Sequence, residues 1–233
     1  MRVGVIQSSY IPWRGYFDFI DSVDIFVFHD DLQYTKGDWR NRNQIKTAKG
    51  TEWLTVPVHY KTVSQLICET EIDQSRPWGQ KQLRQLQANY REVRYLKDML
   101  DIVSVIDSGQ EKTISELNIE LIKRICKYLS INTPILLSSE LSVTGTKTER
   151  LINILQKLKA TTYLSGPSAD DYLDKDAFKK NEIFLEYKTY DYEPYPQLWG
   201  EFKGGVTILD LIANCGLESK EWIKSKSPNL AVT

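Results

Sequence analysis

The chain has 233 residues, of which 41% are hydrophobic and 26% are charged, and its formal net charge is −1. These values are typical of a globular protein, and the near-zero net charge argues against a protein that coats nucleic acid or anionic membranes. No run of about 18 apolar residues is present, so we expect no membrane span.

The features that report on cellular compartment favour the cytoplasm. The N-terminal apolar run is too short for a signal peptide. The three cysteines, Cys68, Cys126 and Cys215, lie far apart, which favours free thiols in a reducing compartment over a disulfide framework. Because there are only two histidines and no closely spaced cysteine pair, we expect no structural zinc.

Strands and a short helix are predicted in the N-terminal third of the chain. Continuous apolar runs indicate buried strands at residues 3–7 and 24–28, with a helix over residues 15–23 between them. We expect a further strand at 53–58 and another at 66–72. The residues before these, 32–52, have weak periodicity, which predicts a long ordered loop or a short hairpin.

The remainder of the chain is predicted to begin with helices. Residues 76–129 carry three apolar stripes at helical spacing, and Thr113 or Ser115 is the expected N-cap of the last helix. Strands and helices then alternate, with strands at 134–137, 161–164 and 183–187 and helices at 148–158, 172–180 and 207–214. The charged tail from Lys220 is expected to fray.

This alternation predicts an α/β fold with a mainly parallel sheet and helices on both faces. We expect a single domain over residues 1–233, with a helical insertion or subdomain at about 76–129.

Two adjacent carboxylates, Asp30 and Asp31, follow the second predicted strand. In open α/β sheets, ligands bind outside the carboxyl ends of the strands. A carboxylate there can hold Mg²⁺, accept a proton from an amine or bind sugar hydroxyls, so both residues are candidate catalytic groups. The alternative is a structural role, in which they cap a turn or pair with Arg40 or Arg42.

The segment from Lys36 to Lys49 is basic, and in it Arg40 and Arg42 alternate with Asn41 and Asn43. Guanidinium groups suit phosphate oxygens and amides suit sugar hydroxyls, although a solvated basic loop is the ordinary alternative. Polar and aromatic residues near other predicted strand or helix ends are candidates as well. Together, the candidate ligand-binding residues are Gln7, Tyr10, Trp13, Gln33, Trp39, Arg40, Asn41, Arg42, Asn43, Lys46, Lys147, Arg150, Ser165, Gly166, Tyr195 and Gln197.

The two histidines also end predicted strands. His29 or His59 can act as a general base near neutral pH, but a single histidine more often has a structural role. No histidine partner is identifiable for any cysteine, and no Walker or G-x-G-x-x-G motif is present. A thiol nucleophile and dinucleotide chemistry therefore have no direct support in the sequence.

Several blocks, spread over nearly the whole chain, resemble the WbqC-like family. They are Gln7-x-x-Tyr10-x-Pro12-Trp13-x-Gly15-Tyr16-Phe17, Asp30-Asp31-x-Gln33, Trp39-x-Asn41-Arg42-Asn43-x-Ile45-Lys46, Trp53-Leu54-Thr55-Val56-Pro57, Ser138-Ser139-Glu140-Leu141, Lys147-Thr148-x-Arg150-Leu151-Ile152, Tyr163-Leu164-Ser165-Gly166, Tyr195-Pro196-Gln197 and Thr207-Ile208-Leu209-Asp210-Leu211. One departure stands out, because the family usually begins with His-Gln-Pro where this chain has Ile6-Gln7-Ser8.

The resemblance implies a role in the biosynthesis of bacterial O-antigen (lipopolysaccharide) and other surface polysaccharides. The expected activity is that of a transferase that moves glycine or another acyl group onto the amine of a dTDP- or UDP-linked amino sugar. Neither DNA nor a cofactor is expected, apart from an activated acyl donor, which can be a thioester, a charged tRNA or an acyl adenylate. The alternatives are a non-catalytic sugar-nucleotide binding partner of a biosynthetic complex and a Mg²⁺-dependent nucleotidyl transferase.

Overall fold

The computed structural model describes residues 1–233, which form eight strands and eight α-helices. The strands are β1 (Arg2–Ile6), β2 (Ile25–Phe28), β3 (Arg42–Thr47), β4 (Gly50–Thr55), β5 (Ile135–Leu137), β6 (Thr162–Ser165), β7 (Phe184–Tyr187) and β8 (Leu230–Ala231). The helices are α1 (Arg14–Asp21), α2 (Trp78–Asn89), α3 (Leu96–Val103), α4 (Ile114–Tyr128), α5 (Lys147–Lys157), α6 (Lys175–Lys180), α7 (Ile208–Cys215) and α8 (Ser219–Trp222).

Six of the strands form one sheet in the order β5-β2-β1-β6-β7-β8. The first five run parallel, and the short β8 pairs antiparallel with β7 at one edge. In the central register, Val3 of β1 lies between Ile25 of β2 and Tyr163 of β6. The predicted α/β fold with a mainly parallel sheet is therefore confirmed.

Helices cover both faces of the sheet, as predicted. Successive strand residues point to opposite faces, so each strand contributes side chains to two separate core clusters. Phe26 and Phe28 belong to a core cluster of 40 buried residues that also contains the apolar faces of α1, α4 and α7. Val27 belongs instead to a cluster of 14 buried residues on the other face, built with α5 and α6. Gly4 of β1 lets α1 approach closely, since a Cβ there would lie 2.3 Å from the Phe19 ring.

The predicted helical block is also confirmed, and it consists of α2, α3 and α4. The Thr113 side chain caps α4 by accepting a hydrogen bond from the Glu116 backbone N–H, and the Glu116 carboxylate accepts one from the Thr113 N–H. This reciprocal pair satisfies two otherwise free backbone donors. Apolar residues of all three helices join the larger core cluster, so the block shares its core with one face of the sheet.

Of the two alternatives for residues 32–52, the structure has a hairpin, which spans residues 42–55, and two strand predictions need correction. The strand expected at 53–58 is β4, at residues 50–55, and it pairs only with β3 in a separate antiparallel hairpin. No strand forms at 66–72, where a 3-10 turn spans Ile67–Glu69 and only isolated bridges occur. Ile67 and Ile72 of this segment belong instead to the larger core cluster, which also contains residues of the helical block.

The C-terminal tail does not fray in the way that its charge suggested. It contains α8 and then β8, in which Leu230 pairs with Tyr187 of β7. The Ser225 N–H also donates to the buried carboxylate of Asp18. The helix expected at 172–180 begins only at Lys175, because Asp174 caps it by accepting a hydrogen bond from the Ala177 N–H.

Candidate functional site

A cavity of about 780 Å³ opens at the carboxyl ends of three neighbouring parallel strands. Gln7 follows β1, His29 follows β2 and Ser165 ends β6, and all three line the cavity. From β1 the chain continues to β2 and β5 on one side of the sheet and then returns to β6 on the other side of β1. The cavity therefore lies where the strand order reverses, which is the usual ligand position in open α/β sheets.

The opposite wall comes from the start of α5 and from the turn after β6. The first of these contributes Lys147 and Arg150, and the second contributes Gly166. Half of the lining residues are hydrophobic, and Tyr172 at the rim has 70% of its surface exposed. Apolar walls with a few convergent polar groups are typical of small-molecule sites, and the exposed ring offers a surface for stacking.

Asp30, one of the two predicted catalytic carboxylates, is buried and fully engaged by two serines. It accepts hydrogen bonds from Ser138 Oγ at 3.1 Å, from the Ser139 N–H at 3.1 Å and from Ser139 Oγ at 2.7 Å. These bonds join the segment after β2 to the segment after β5. The carboxylate thus fixes the edge of the sheet and does not line the cavity.

Asp31, the second carboxylate, forms an ion pair with the cavity residue Arg150. Its partner is neither Arg40 nor Arg42, which corrects the structural alternative drawn from the sequence. Ser138 Oγ also donates to Asp31, and Arg150 Nη1 donates to the Val143 carbonyl at 2.8 Å. The guanidinium is therefore held against the cavity wall, while its buried Nε has no hydrogen-bond partner.

His29 combines burial with an unused ring nitrogen. Only 7% of the residue is exposed, and its Nε2 has no hydrogen-bond partner. The nearest acidic oxygen, Asp31 Oδ1, lies 3.9 Å away, beyond hydrogen-bond distance. Burial lowers the pKa of His29 to about 4, with Arg150 acting in the same direction and Asp31 and Asp30 opposing it. At neutral pH the imidazole is therefore uncharged, and its buried Nε2 makes no hydrogen bond within the protein.

The lowered pKa of His29 predicts a pH-dependent loss of stability. The unfolded protein binds more protons than the folded one between the ordinary histidine pKa and about 4, so the free energy of unfolding falls as pH falls through this window. Between about pH 7.5 and about pH 5, His29 lowers the free energy of unfolding by about 2 kcal/mol. Urea denaturation at the two pH values measures it.

The control for this experiment is His29→Gln, since other acidic groups also titrate in the same range. As the pH is lowered, the free energy of unfolding of the variant should rise by about 2 kcal/mol relative to that of the wild type, because the variant has no imidazole to protonate. Parallel curves of stability against pH for the two proteins would contradict a depressed pKa for His29.

Gln7 is the cavity residue whose orientation is most directly fixed by the basic segment. Its side-chain oxygen accepts a hydrogen bond from Arg40 Nη1 at 2.5 Å, and its backbone carbonyl accepts one from the Tyr16 hydroxyl at 2.9 Å. Arg40 is buried behind Gln7 and does not line the cavity. The structure therefore places Arg40 as a support for Gln7.

Three other residues with predicted ligand contacts have their polar groups bonded inside the protein. Asn43 donates to the carbonyls of Tyr10 and Ile11, and Ile11 has a positive φ of 40°. Asn41 donates to the Val56 carbonyl, and the Tyr10 hydroxyl donates to a glutamine of α2. The buried amides of Asn41 and Asn43 satisfy backbone carbonyls of irregular loops. In a sequence, amides with this structural role look the same as amides that bind a ligand.

Lys46, Tyr195 and Gln197 form a second polar cluster that shares no residue with the cavity lining. Lys46 Nζ donates to the Gln197 side-chain oxygen at 3.0 Å. The Tyr195 hydroxyl donates to the buried Asp210 at 2.9 Å, as does that of Tyr90. Burial raises the pKa of Asp210. This network joins the hairpin, the segment after β7 and α7, and we assign it a structural role.

The remaining predicted residues lie elsewhere on the molecule. Trp39 and Arg42 are grouped with Trp53 on the hairpin surface. Trp13 packs against the rings of two tyrosines, Tyr190 and Tyr192. Gln33 is exposed and forms a backbone bridge with the segment that holds the 3-10 turn.

Of the predicted ligand residues, the structure thus brings five to the cavity: Gln7, Lys147, Arg150, Ser165 and Gly166. It adds His29, Thr148, Tyr163, Ser168 and Tyr172, which the ligand-binding prediction omitted. The position of His29 at the end of a strand was the signal that pointed to it. Nothing in the sequence indicated that Tyr163 and Tyr172 line a site, because aromatic residues within an apolar pattern are usually core residues.

Two other kinds of feature are absent from the structure. No group of three or more histidine, cysteine, aspartate or glutamate side chains is arranged to hold a metal ion. None of the helices combines the length and the apolar character that crossing a membrane requires.

Comparison with known proteins gives one family and one relative. The model of the WbqC-like protein family matches residues 7–222 of the chain. An uncharacterized protein of Mycobacterium tuberculosis is 44% identical over 226 residues, which cover 96% of this chain and 97% of that protein. No solved structure matches the chain significantly.

Proposed function

The chain belongs to the WbqC-like protein family, and on that premise we propose that it is a cytoplasmic acyltransferase of bacterial surface-polysaccharide (O-antigen) biosynthesis. Its substrate would be a nucleotide-linked amino sugar, and it would transfer a glycyl or related acyl group to the sugar amine. The observation that carries the proposal is the unbonded, uncharged His29 beside the Asp31–Arg150 ion pair in a cavity at the strand-order reversal. A neutral imidazole beside a fixed cation supports the proposal, because the imidazole can accept a proton and the cation can bind phosphate.

The cavity supplies a suitable group for each part of a sugar nucleotide. Arg150 and Lys147 match a diphosphate, since charged donors bind phosphate oxygens strongly. The Gln7 amide and the Ser165 hydroxyl suit sugar hydroxyls, and the exposed Tyr172 ring suits stacking on a base. The volume of about 780 Å³ lies in the usual range for such ligands.

The proposed chemical step needs one base. The sugar amine forms a bond to the acyl carbonyl carbon, and the nitrogen becomes cationic and strongly acidic in the tetrahedral intermediate. His29 Nε2 takes that proton and returns it to the leaving group of the donor as the bond from the acyl carbon to that group breaks. A neutral histidine can do this even with a lowered pKa, and a bound diphosphate would raise that pKa by its negative charge.

This assignment moves the predicted base from Asp30 or Asp31 to His29. Both carboxylates are already engaged, since Asp30 accepts a hydrogen bond from Ser139, and Asp31 accepts one from Ser138 and forms an ion pair with Arg150. Asp31 then acts through its neighbours, because it positions the Arg150 guanidinium and lies 3.9 Å from the imidazole.

Arg150→Ala is expected to weaken the binding of a UDP- or dTDP-linked amino sugar by about 10- to 100-fold, because a charged hydrogen bond of about 1.5–3 kcal/mol is lost. Isothermal titration calorimetry measures the affinity. Arg124→Ala is the matched control, since Arg124 pairs with Glu120 on the surface of α4 and does not line the cavity. Unchanged affinity in Arg150→Ala would remove the diphosphate from this wall.

A non-catalytic sugar-nucleotide binding partner is the second candidate function. The observation that favours it is that internal hydrogen bonds and an ion pair engage both predicted catalytic carboxylates. Incubation of the protein with dTDP- or UDP-linked 4-amino sugars and a panel of acyl donors separates the two functions by mass spectrometry. An acyl mass gain on the sugar supports the transferase, whereas tight binding without any mass gain across the panel supports the binding partner.

A further inference from the structure

A second groove, of about 740 Å³, lies between the β3–β4 hairpin and α2. Trp53 and Thr55 of β4 form one wall, and Arg76, Lys81, Arg84 and Gln85 form the other. It shares no lining residue with the cavity at the sheet edge. We call it the hairpin groove.

The hairpin groove is strongly basic in a chain whose net charge is −1. Residues 74–91 contain no aspartate or glutamate. Arg76, Lys81 and Arg84 are exposed, and none of them forms an ion pair. The nearby carboxylate of Glu52 accepts a hydrogen bond from Gln85. Three unpaired cations along one wall attract an anion with more than one negative charge.

The other wall carries the flat aromatic surface of Trp53. Trp53 is 42% exposed, and Trp39, which does not line the groove, lies beside it with ring centroids 5.6 Å apart. The Arg42 guanidinium lies 4.4 Å from the centre of the Trp53 ring, within the range of a cation–π contact. This contact holds Trp53 in place, and exposed tryptophans beside unpaired cations are the combination that proteins use for bases and phosphates together.

We propose that the hairpin groove is a second binding site, for a phosphorylated nucleoside. The base stacks on Trp53, and the phosphates bind Arg76, Lys81 and Arg84. The same chemistry is present in a free nucleotide and in a single-stranded RNA segment. The proposal does not depend on acyl transfer, since it concerns residues that do not line the cavity.

Tryptophan fluorescence titrations with ATP and with a six-nucleotide oligoadenylate RNA test this site. The triple variant Arg76→Ala/Lys81→Ala/Arg84→Ala is expected to bind both probes at least about 10-fold more weakly than the wild type, because the phosphate contacts are lost. The matched control, Lys123→Ala/Lys179→Ala/Lys180→Ala, removes the same charge from exposed helix positions outside the groove and should bind normally.

Trp53→Ala separates stacking from charge. It should weaken ATP binding about 10-fold while leaving the binding of inorganic triphosphate unchanged, because only ATP has a base to stack. Calorimetry measures this pair of ligands, since triphosphate gives no reliable fluorescence signal. RNA binding at least about 10-fold tighter than ATP binding would identify a strand as the ligand, and equal affinities would identify a free nucleotide.

Three results would overturn the proposal. The first is no binding of either probe, and the second is equal binding by the wild type and the triple variant. The third is loss of ATP binding in Arg150→Ala but not in the triple variant, which would place the nucleotide in the cavity. The proposed acyl transfer can fail while the hairpin groove passes all of these tests, so the two failures are distinguishable.

Discussion

Replacing His29 by glutamine is expected to lower the rate of acyl transfer by about 100-fold or more, which is the lower end of what a positioned general base contributes. Glutamine retains a polar side chain of similar reach but cannot take a proton. The affinity for the nucleotide sugar should change little, because Arg150 and Lys147 remain in the cavity wall. The loss should therefore appear in kcat, as measured by the mass-spectrometric assay under saturating substrate.

Folding of the variant must be verified in the same samples. At neutral pH the imidazole is uncharged, so His29→Gln should unfold at nearly the same urea concentration as the wild type. The Arg124→Ala protein again serves as the activity control. Full activity in a folded His29→Gln variant would exclude His29 as the base and would leave the cavity as a binding site only.

Lys188→Met is expected to destabilise the folded protein by about 3–5 kcal/mol, because it leaves a buried charge without its partner. Lys188 follows β7, and its Nζ lies 2.7 Å from Asp18 Oδ2 of α1, with both side chains less than 10% exposed. The hydroxyl of Tyr192 and the N–H of Ser225 donate to the same carboxylate and offset part of the loss. A decrease of about 10 °C in Tm is the corresponding thermal effect.

The control is Lys226→Met, which removes a lysine that pairs with Glu193 with both side chains more than half exposed. No measurable change in Tm is expected for this exposed pair. The double variant Asp18→Asn/Lys188→Met should recover part of the stability, since the unpaired charge is gone. A Tm for Lys188→Met equal to that of the wild type would show that the remaining donors alone satisfy Asp18.

The secondary structure of the sheet and its helices could be predicted because the relevant patterns are local. The apolar runs at 3–7 and 24–28 and the helical stripes of 76–129 are set by residues near one another in the chain. The error at the C-terminus occurred because pairing there is long-range. The tail has little apolar pattern, yet Leu230 pairs with Tyr187, 43 residues before it in the sequence.

The candidate site was predicted in position but only partly in composition. Placing the ends of β1, β2 and β6 at one edge of a parallel sheet was enough to locate Gln7 and Ser165. The basic segment was a weaker guide, because Arg40, Asn41 and Asn43 turned inward to satisfy other groups. From sequence alone, a buried amide that bonds a loop is indistinguishable from one that bonds a ligand.

By itself, the sequence determined that this protein has a parallel α/β sheet, which edge of that sheet carries polar side chains, and its family. The tertiary structure decided which of those side chains remain available. Asp31 is paired with Arg150, which lies 119 residues away in the chain, while His29, two residues before Asp31, keeps a free nitrogen. The reason is physical: strand periodicity depends on neighbours in the sequence, whereas the partner of a charge depends on the path of the whole chain.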